Sequence, residues 1–85
     1  MASYRVLIKP PAAKELEALP LKERKRIVSK IQHLSKDPRP TGCEKLSGRE
    51  KYRVRQEDYR VLYAIDDRET TITIVKIGHR RDVYR

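Results

Sequence analysis

The apolar residues of this chain change their spacing once, near its middle, and that switch limits the folds open to it. From Ala12 to Leu34 they recur at helical intervals, and from Tyr52 to Ile77 they alternate as in strands. Ala12, Ala13, Leu16 and Leu19 form one helical stripe with Lys14, Glu15 and Glu17 turned outward. Pro10 and Pro11 stand at its start, where a missing N–H costs least. Pro20 breaks the run and can open a second helix in its first turn. There Ile27, Val28, Ile31 and Leu34 make the apolar face, and Lys22, Lys25, Arg26, Ser29, Lys30 and His33 take the other. Asp37-Pro38-Arg39-Pro40 ends it. The short joint predicts an antiparallel helical hairpin with a common apolar face.

Tyr4 to Ile8 reads as a first strand, stopped by Lys9-Pro10-Pro11. Residues 39 to 50 read as a polar connection holding Gly42 and Gly48. Three candidate strands follow, at 51–56, 59–66 and 70–77, joined by Glu57-Asp58 and by Asp67-Arg68-Glu69. Joints this short favour an antiparallel meander. Tyr59, Val61, Tyr63 and Ile65 fall on one face of the middle strand, with Arg60, Leu62 and Ala64 on the other. The last strand is apolar on both sides, through Ile72, Ile74, Val75 and Ile77, which suits an interior or doubly covered position. The expected fold is α+β: a single small domain over residues 1–85, in β-α-α-β-β-β order, with the helical hairpin on one face of the sheet.

At 85 residues, with 38% hydrophobic and 39% charged side chains, the chain has material for one modest core. Phe and Trp are absent, and five tyrosines supply the aromatic bulk. A single cysteine, Cys43, excludes an internal disulfide and suits a reducing, cytoplasmic setting. The net charge of +9 calls for a polyanion, a membrane surface or an acidic protein as partner. A membrane is the weakest of these, because no run is both long and apolar, and the N-terminal apolar stretch is too short for a signal peptide. Lys and Arg are spread through every segment, so a folded basic surface is expected, not a basic tail.

Alternation sends Arg53 and Arg55 to one side of their strand, and Arg60 faces the same way from the next. Guanidinium groups gathered so match phosphate oxygens in charge and geometry. The same arginines also fit a solvated sheet face paired with acids. Near the end, Gly78-His79-Arg80-Arg81-Asp82-Val83-Tyr84-Arg85 carries more cations and two groups able to move a proton, His79 and Tyr84. Tyr84 equally suits a hydrophobic clasp for the tail, and His79 a structural role. Asp66-Asp67 and Glu69 fall in a turn, where Asp serves local backbone bonding. No spacing matches a zinc or calcium site, and no glycine-rich phosphate loop is present, so no cofactor is expected. A nuclease built from these parts would be metal-independent. It would use the 2′-hydroxyl of RNA as nucleophile and supply a base, an acid and a cationic cradle.

Taken together, Lys45-Leu46-Ser47-Gly48, Tyr52-Arg53-Val54-Arg55, Asp58-Tyr59-Arg60-Val61-Leu62-Tyr63 and Gly78-His79-Arg80-Arg81-Asp82-Val83-Tyr84, in this order, resemble the RelE toxins of bacterial and archaeal toxin–antitoxin pairs. The resemblance covers nearly the whole chain. It implies a toxin that enters the ribosomal A site and cuts the mRNA codon there. It also implies a RelB-like antitoxin, acidic and partly disordered, and binding of operator DNA by the toxin–antitoxin complex. By position, Arg53 and Arg55 stand where RelE has two lysines that contact the scissile region. Arg60 matches a phosphate-cradle arginine, Arg80 an arginine near the leaving oxygen, and Tyr84 the tail tyrosine thought to activate the 2′-hydroxyl. Arginine stays protonated where lysine can act as a base, so more of the proton transfer falls to Tyr84 or His79. A phenol with a pKa near 10 is ionised in only about one molecule in a thousand at pH 7, and neighbouring cations would raise that fraction. Two rival readings share these residues: a ParE-like inhibitor of DNA gyrase, and a non-catalytic nucleic-acid-binding protein.

Overall fold

The structure, a computed structural model, describes residues 3–46 and 51–79. The elements are β1 (Arg5–Ile8), α1 (Pro10–Glu17), α2 (Leu21–Lys36), β2 (Glu44–Lys45), β3 (Lys51–Gln56), β4 (Tyr59–Asp66) and β5 (Thr71–His79). They build one five-stranded sheet in the order β1-β5-β4-β3-β2. The β3-β4-β5 meander is antiparallel, as its short turns require. β1 runs parallel to β5, which is possible because both helices lie between them in sequence, so the sheet is mixed.

The prolines act as the sequence predicts, with one shift. Pro10 and Pro11 occupy the first helical positions of α1, whereas Pro20 is the N-cap of α2 and its carbonyl accepts from the Arg24 amide at 2.9 Å. The Arg24 guanidinium turns back to donate to the carbonyls of Glu17 (3.1 Å) and Leu19 (3.3 Å). It thereby satisfies the exposed C-terminal end of α1 and ties the two helices at their joint.

One face of the sheet carries the core. Ala12 of α1 and Ile27, Ile31 and Leu34 of α2 pack with Tyr52, Val54, Val61, Tyr63, Ile65, Ile72, Ile74 and Ile77. Val28, expected on the apolar helix face, is instead 37% exposed. It sits one residue past Ile27, which places it at the rim of the buried stripe.

Two other expectations are corrected. The connection read at 39–50 contains a strand: Glu44 and Lys45 pair antiparallel with Arg53 and Tyr52. Two residues are too few to show alternation. The last strand is interior, between β1 and β4, but its buried isoleucines do not divide between its faces. Leu62 stands opposite Lys76 while Tyr63 stands opposite Ile74, so β5 holds one extra residue, Val75. This β-bulge reverses the parity of the strand and returns Ile77 to the face that already holds Ile72 and Ile74.

At the end of the sheet where β4 passes to β5, Tyr4 donates to Asp67 Oδ1 at 2.7 Å, and Arg39 reaches Asp67 Oδ2 at 3.0 Å and Tyr52 Oη at 3.0 Å. Arg39 also lies 5.1 Å from the centre of the Tyr52 ring, which stacks on Tyr63 at 5.8 Å. Tyr63 donates to the Pro38 carbonyl at 2.7 Å, and burial pushes its hydroxyl pKa far up. The network fastens the connection after α2 to the sheet. Asp66 Oδ1 accepts from the amides of Arg68 (3.0 Å) and Glu69 (3.1 Å), so its carboxylate serves the turn, as the sequence predicts.

Candidate active site

The face of the sheet turned away from the helices gathers the arginines. Alternation puts Lys51, Arg53 and Arg55 of β3 on it, opposite the core residues Tyr52 and Val54. The register carries this across the sheet. Arg53 pairs with Leu62, and Arg55 pairs with Arg60, which in turn pairs with Gly78 of β5. Arg55 and Arg60 are therefore direct cross-strand neighbours of like charge. In an isolated sheet such a pair is unfavourable by roughly 0.2–1 kcal/mol. A phosphate shared between two guanidinium groups reverses that sign. Gly78 adds no side chain beside Arg60 on the β5 side.

The three arginines differ in setting. Arg55 is exposed, while Arg60 is only 6% exposed although arginine never sheds its charge in a protein. Arg53 is held at 2.8 Å by Glu44 Oε2 from β2, directly across the strand pair. The acid-paired reading of the sheet face thus holds for Arg53. Glu44 keeps 56% of its side-chain surface exposed, so this pair is weakened by solvent and open to exchange for another anion.

His79 ends β5 and pairs across the strands with Tyr59, its ring edge-on to that ring at 5.9 Å between centres. Tyr59 packs against the core, so His79 lies on the helix side of the sheet, and Arg55 and Arg60 lie on the other. They share an end of the sheet but not a face. Arg80 and Tyr84, expected to act here, lie outside the described residues, as do Ser47 and Gly48 of the motif before β3. Among the described residues, this face brings together Arg53, Arg55 and Arg60 as a cationic row. His79 is the histidine nearest that row along the sheet, at the end of β5.

The sequence did not point to two carboxylates that now matter, Glu44 and Glu15. Glu44 needed the β2–β3 register to be known. Glu15 reads as an outward helix position, yet it reaches the backbone of β5, with Ile77 N–H donating to Oε1 at 2.9 Å and Lys76 Nζ to Oε2 at 3.0 Å. At the β3–β4 turn, Glu57 takes a positive φ of 56° and forms an ion pair with Arg26 of α2.

Among the described residues no group of His, Cys, Asp and Glu is placed to hold a metal ion, and no helix is long and apolar enough to cross a membrane.

The chain has counterparts in both sequence and fold. Residues 6–84 match the family model described as the ParE toxin of the type II toxin–antitoxin system parDE. Toxin RelG of Mycobacterium tuberculosis is 34% identical over 86 residues, covering 96% of this chain and 97% of that protein. Among solved structures, the RelBE2 toxin–antitoxin complex of M. tuberculosis superposes with a TM-score of 0.83 at 30% identity, covering 96% of this chain and 97% of the other. The archaeal RelE–RelB complex of Pyrococcus horikoshii gives 0.84 at 31%, covering 94% and 98%. The isolated E. coli RelE toxin shares the fold, with a TM-score of 0.81 at 24% identity over 96% and 92% of the two chains. The chain belongs to the RelE/ParE family of type II toxin–antitoxin toxins.

Proposed function

We propose that this toxin, acting as one domain over residues 1–85, is a ribosome-dependent, metal-independent endoribonuclease that cuts mRNA codons in the ribosomal A site and so stops translation. The observation that carries the reading is the Arg55–Arg60 cross-strand pair on the helix-free face, beside the strand end from which Arg80 and Tyr84 follow in sequence. A base, Tyr84 or His79, takes the proton of the 2′-hydroxyl. O2′ then attacks the adjacent phosphorus, and the P–O5′ bond breaks. The leaving oxygen takes a proton from the acid, giving a 2′,3′-cyclic phosphate and a free 5′-hydroxyl. Arg53, Arg55 and Arg60 stabilise the charge that builds on the phosphoryl oxygens, and Arg80 the leaving oxygen. The ribosome aligns the substrate, which suits a site with few acid–base groups of its own. Such a substrate places the protein in the cytoplasm.

The relatives solved as RelE–RelB and RelBE2 complexes support a RelB-like antitoxin as partner. With a charge of +9 on the toxin, that partner is acidic, and it is partly disordered until it binds. The pair together binds operator DNA. A second reading, gyrase inhibition, is favoured by the ParE description of the matching family.

Primer extension on a defined mRNA in programmed 70S ribosomes separates the two. Codon-spaced cuts in the A site, absent on naked RNA and lost in Tyr84→Phe, are expected. Intact mRNA together with inhibited supercoiling by gyrase would replace this reading with the second. Retained RNA binding without cuts or gyrase inhibition would leave a binding protein.

A further inference from the structure

β1 stops pairing with β5 at a point fixed by sequence. Lys9 N–H still donates to the Ile74 carbonyl at 3.0 Å, and then Pro10 and Pro11, which have no N–H, turn the chain into α1. The carbonyls that accept from Arg5 and Lys9 are those of Thr70, just before β5, and of Ile74 within it. With strict alternation the next group on that edge would belong to residue 76. The extra residue of the bulge transfers it to Ile77, whose N–H emerges beyond the end of β1. A strand edge left so is a poorly fixed one. Glu15 fills the gap from α1: one carboxylate oxygen accepts from Ile77 N–H at 2.9 Å and the other from Lys76 Nζ at 3.0 Å. Both groups are more than half shielded from solvent.

We propose that Glu15 is a positioning residue for the candidate active site. Its carboxylate takes the place of a continued β1 and fixes the last residues of β5, so that Gly78 stays beside Arg60 and His79 stays beside Tyr59. The inference rests on the ribonuclease reading, because in that reading Arg60 and His79, the groups beside the end of β5, act on the substrate. Glu15 touches no substrate. Its effect is on how often those groups meet the phosphate in productive geometry, which is a kcat effect.

The test compares Glu15→Ala, Glu15→Gln and Lys76→Met in the ribosome cleavage assay, with amide hydrogen exchange read at Ile77 and the urea midpoint as control. Gln keeps an oxygen for Ile77 N–H, and Lys76→Met removes only the charged partner. Glu15→Ala is expected to speed exchange at Ile77 and to lower kcat about tenfold or more with KM within about twofold. Glu15→Gln and Lys76→Met should stay within about threefold of wild type in kcat, because each leaves the bond to Ile77 in place. Wild-type cleavage by Glu15→Ala, or a loss confined to KM, would overturn the inference. So would an activity loss matched by a general drop in the urea midpoint without selective exchange at Ile77. A wild-type protein that cuts nothing would instead remove the ribonuclease reading on which the inference stands.

Discussion

Arg60 and Arg55 occupy matched positions, but the buried member of the pair is the more demanding one. Arg60→Ala should lower kcat for mRNA cleavage by about a hundredfold or more, the usual scale for removing a donor that meets developing charge. Arg60→Lys should recover only part of that, because a lysine offers a point charge where a guanidinium presents a fixed fork. Single-turnover cleavage on programmed ribosomes measures both. Glu44 acts in the opposite sense. Its carboxylate holds Arg53 where a phosphate would sit, and an exposed ion pair is worth no more than about 1 kcal/mol. Glu44→Gln should therefore tighten binding of a cleavage-resistant 2′-deoxy oligonucleotide by up to about fivefold, read by fluorescence anisotropy at fixed salt. Unchanged or weaker binding would mean that Glu44 orients Arg53 and does not compete for it.

At the level of elements, much of this fold was legible and one residue hid the rest. The strands at 51–56 and 59–66 are found where alternation put them, because β-branched and aromatic residues face a single core across a two-residue turn. Both helices are found between their prolines for equally local reasons. The bulge at Val75 left no mark, since a valine there reads as one more strand residue. Its consequence for the site is large. By uninterrupted alternation His79 would share a face with neither Ile72 nor Ile74 and would stand with the arginines. The extra residue carries it to the helix side, beside Tyr59. Glu44 and Arg53, likewise, are a pair only because of a register that two residues of strand cannot announce. Deleting Val75 should flip Ile77 out of the core and destabilise the protein by about 2–5 kcal/mol, as for loss of a buried isoleucine. Urea denaturation would show it, and an unchanged midpoint would deny the bulge its role in packing.

The whole molecule is basic on its helix-free face and is fastened at the opposite end by exposed polar contacts around Asp67. Hydrogen bonds from Arg39, then Tyr4, hold the Asp67 carboxyl below its ordinary value of 3.8. A carboxyl depressed in the folded state contributes stability above its unfolded value, and that contribution is lost as pH falls through the folded one. Wild type should therefore exceed Asp67→Asn in stability at neutral pH and converge with it in strong acid. Thermal melts across that range check the sign, and a gap that persists undiminished at low pH would contradict it. The parallel pairing of β1 with β5 has a different consequence, in the order of synthesis. Among the described strands the first is partnered by the last, and Glu15 finds Ile77 only when β5 arrives. Contacts between distant parts of a chain form late. A nascent chain still lacking β5 has neither a complete sheet nor the Arg60–Gly78 pairing that completes its arginine face. An antitoxin that recognises the folded toxin therefore has nothing complete to hold until β5 joins the sheet, and its target comes into being in that late step.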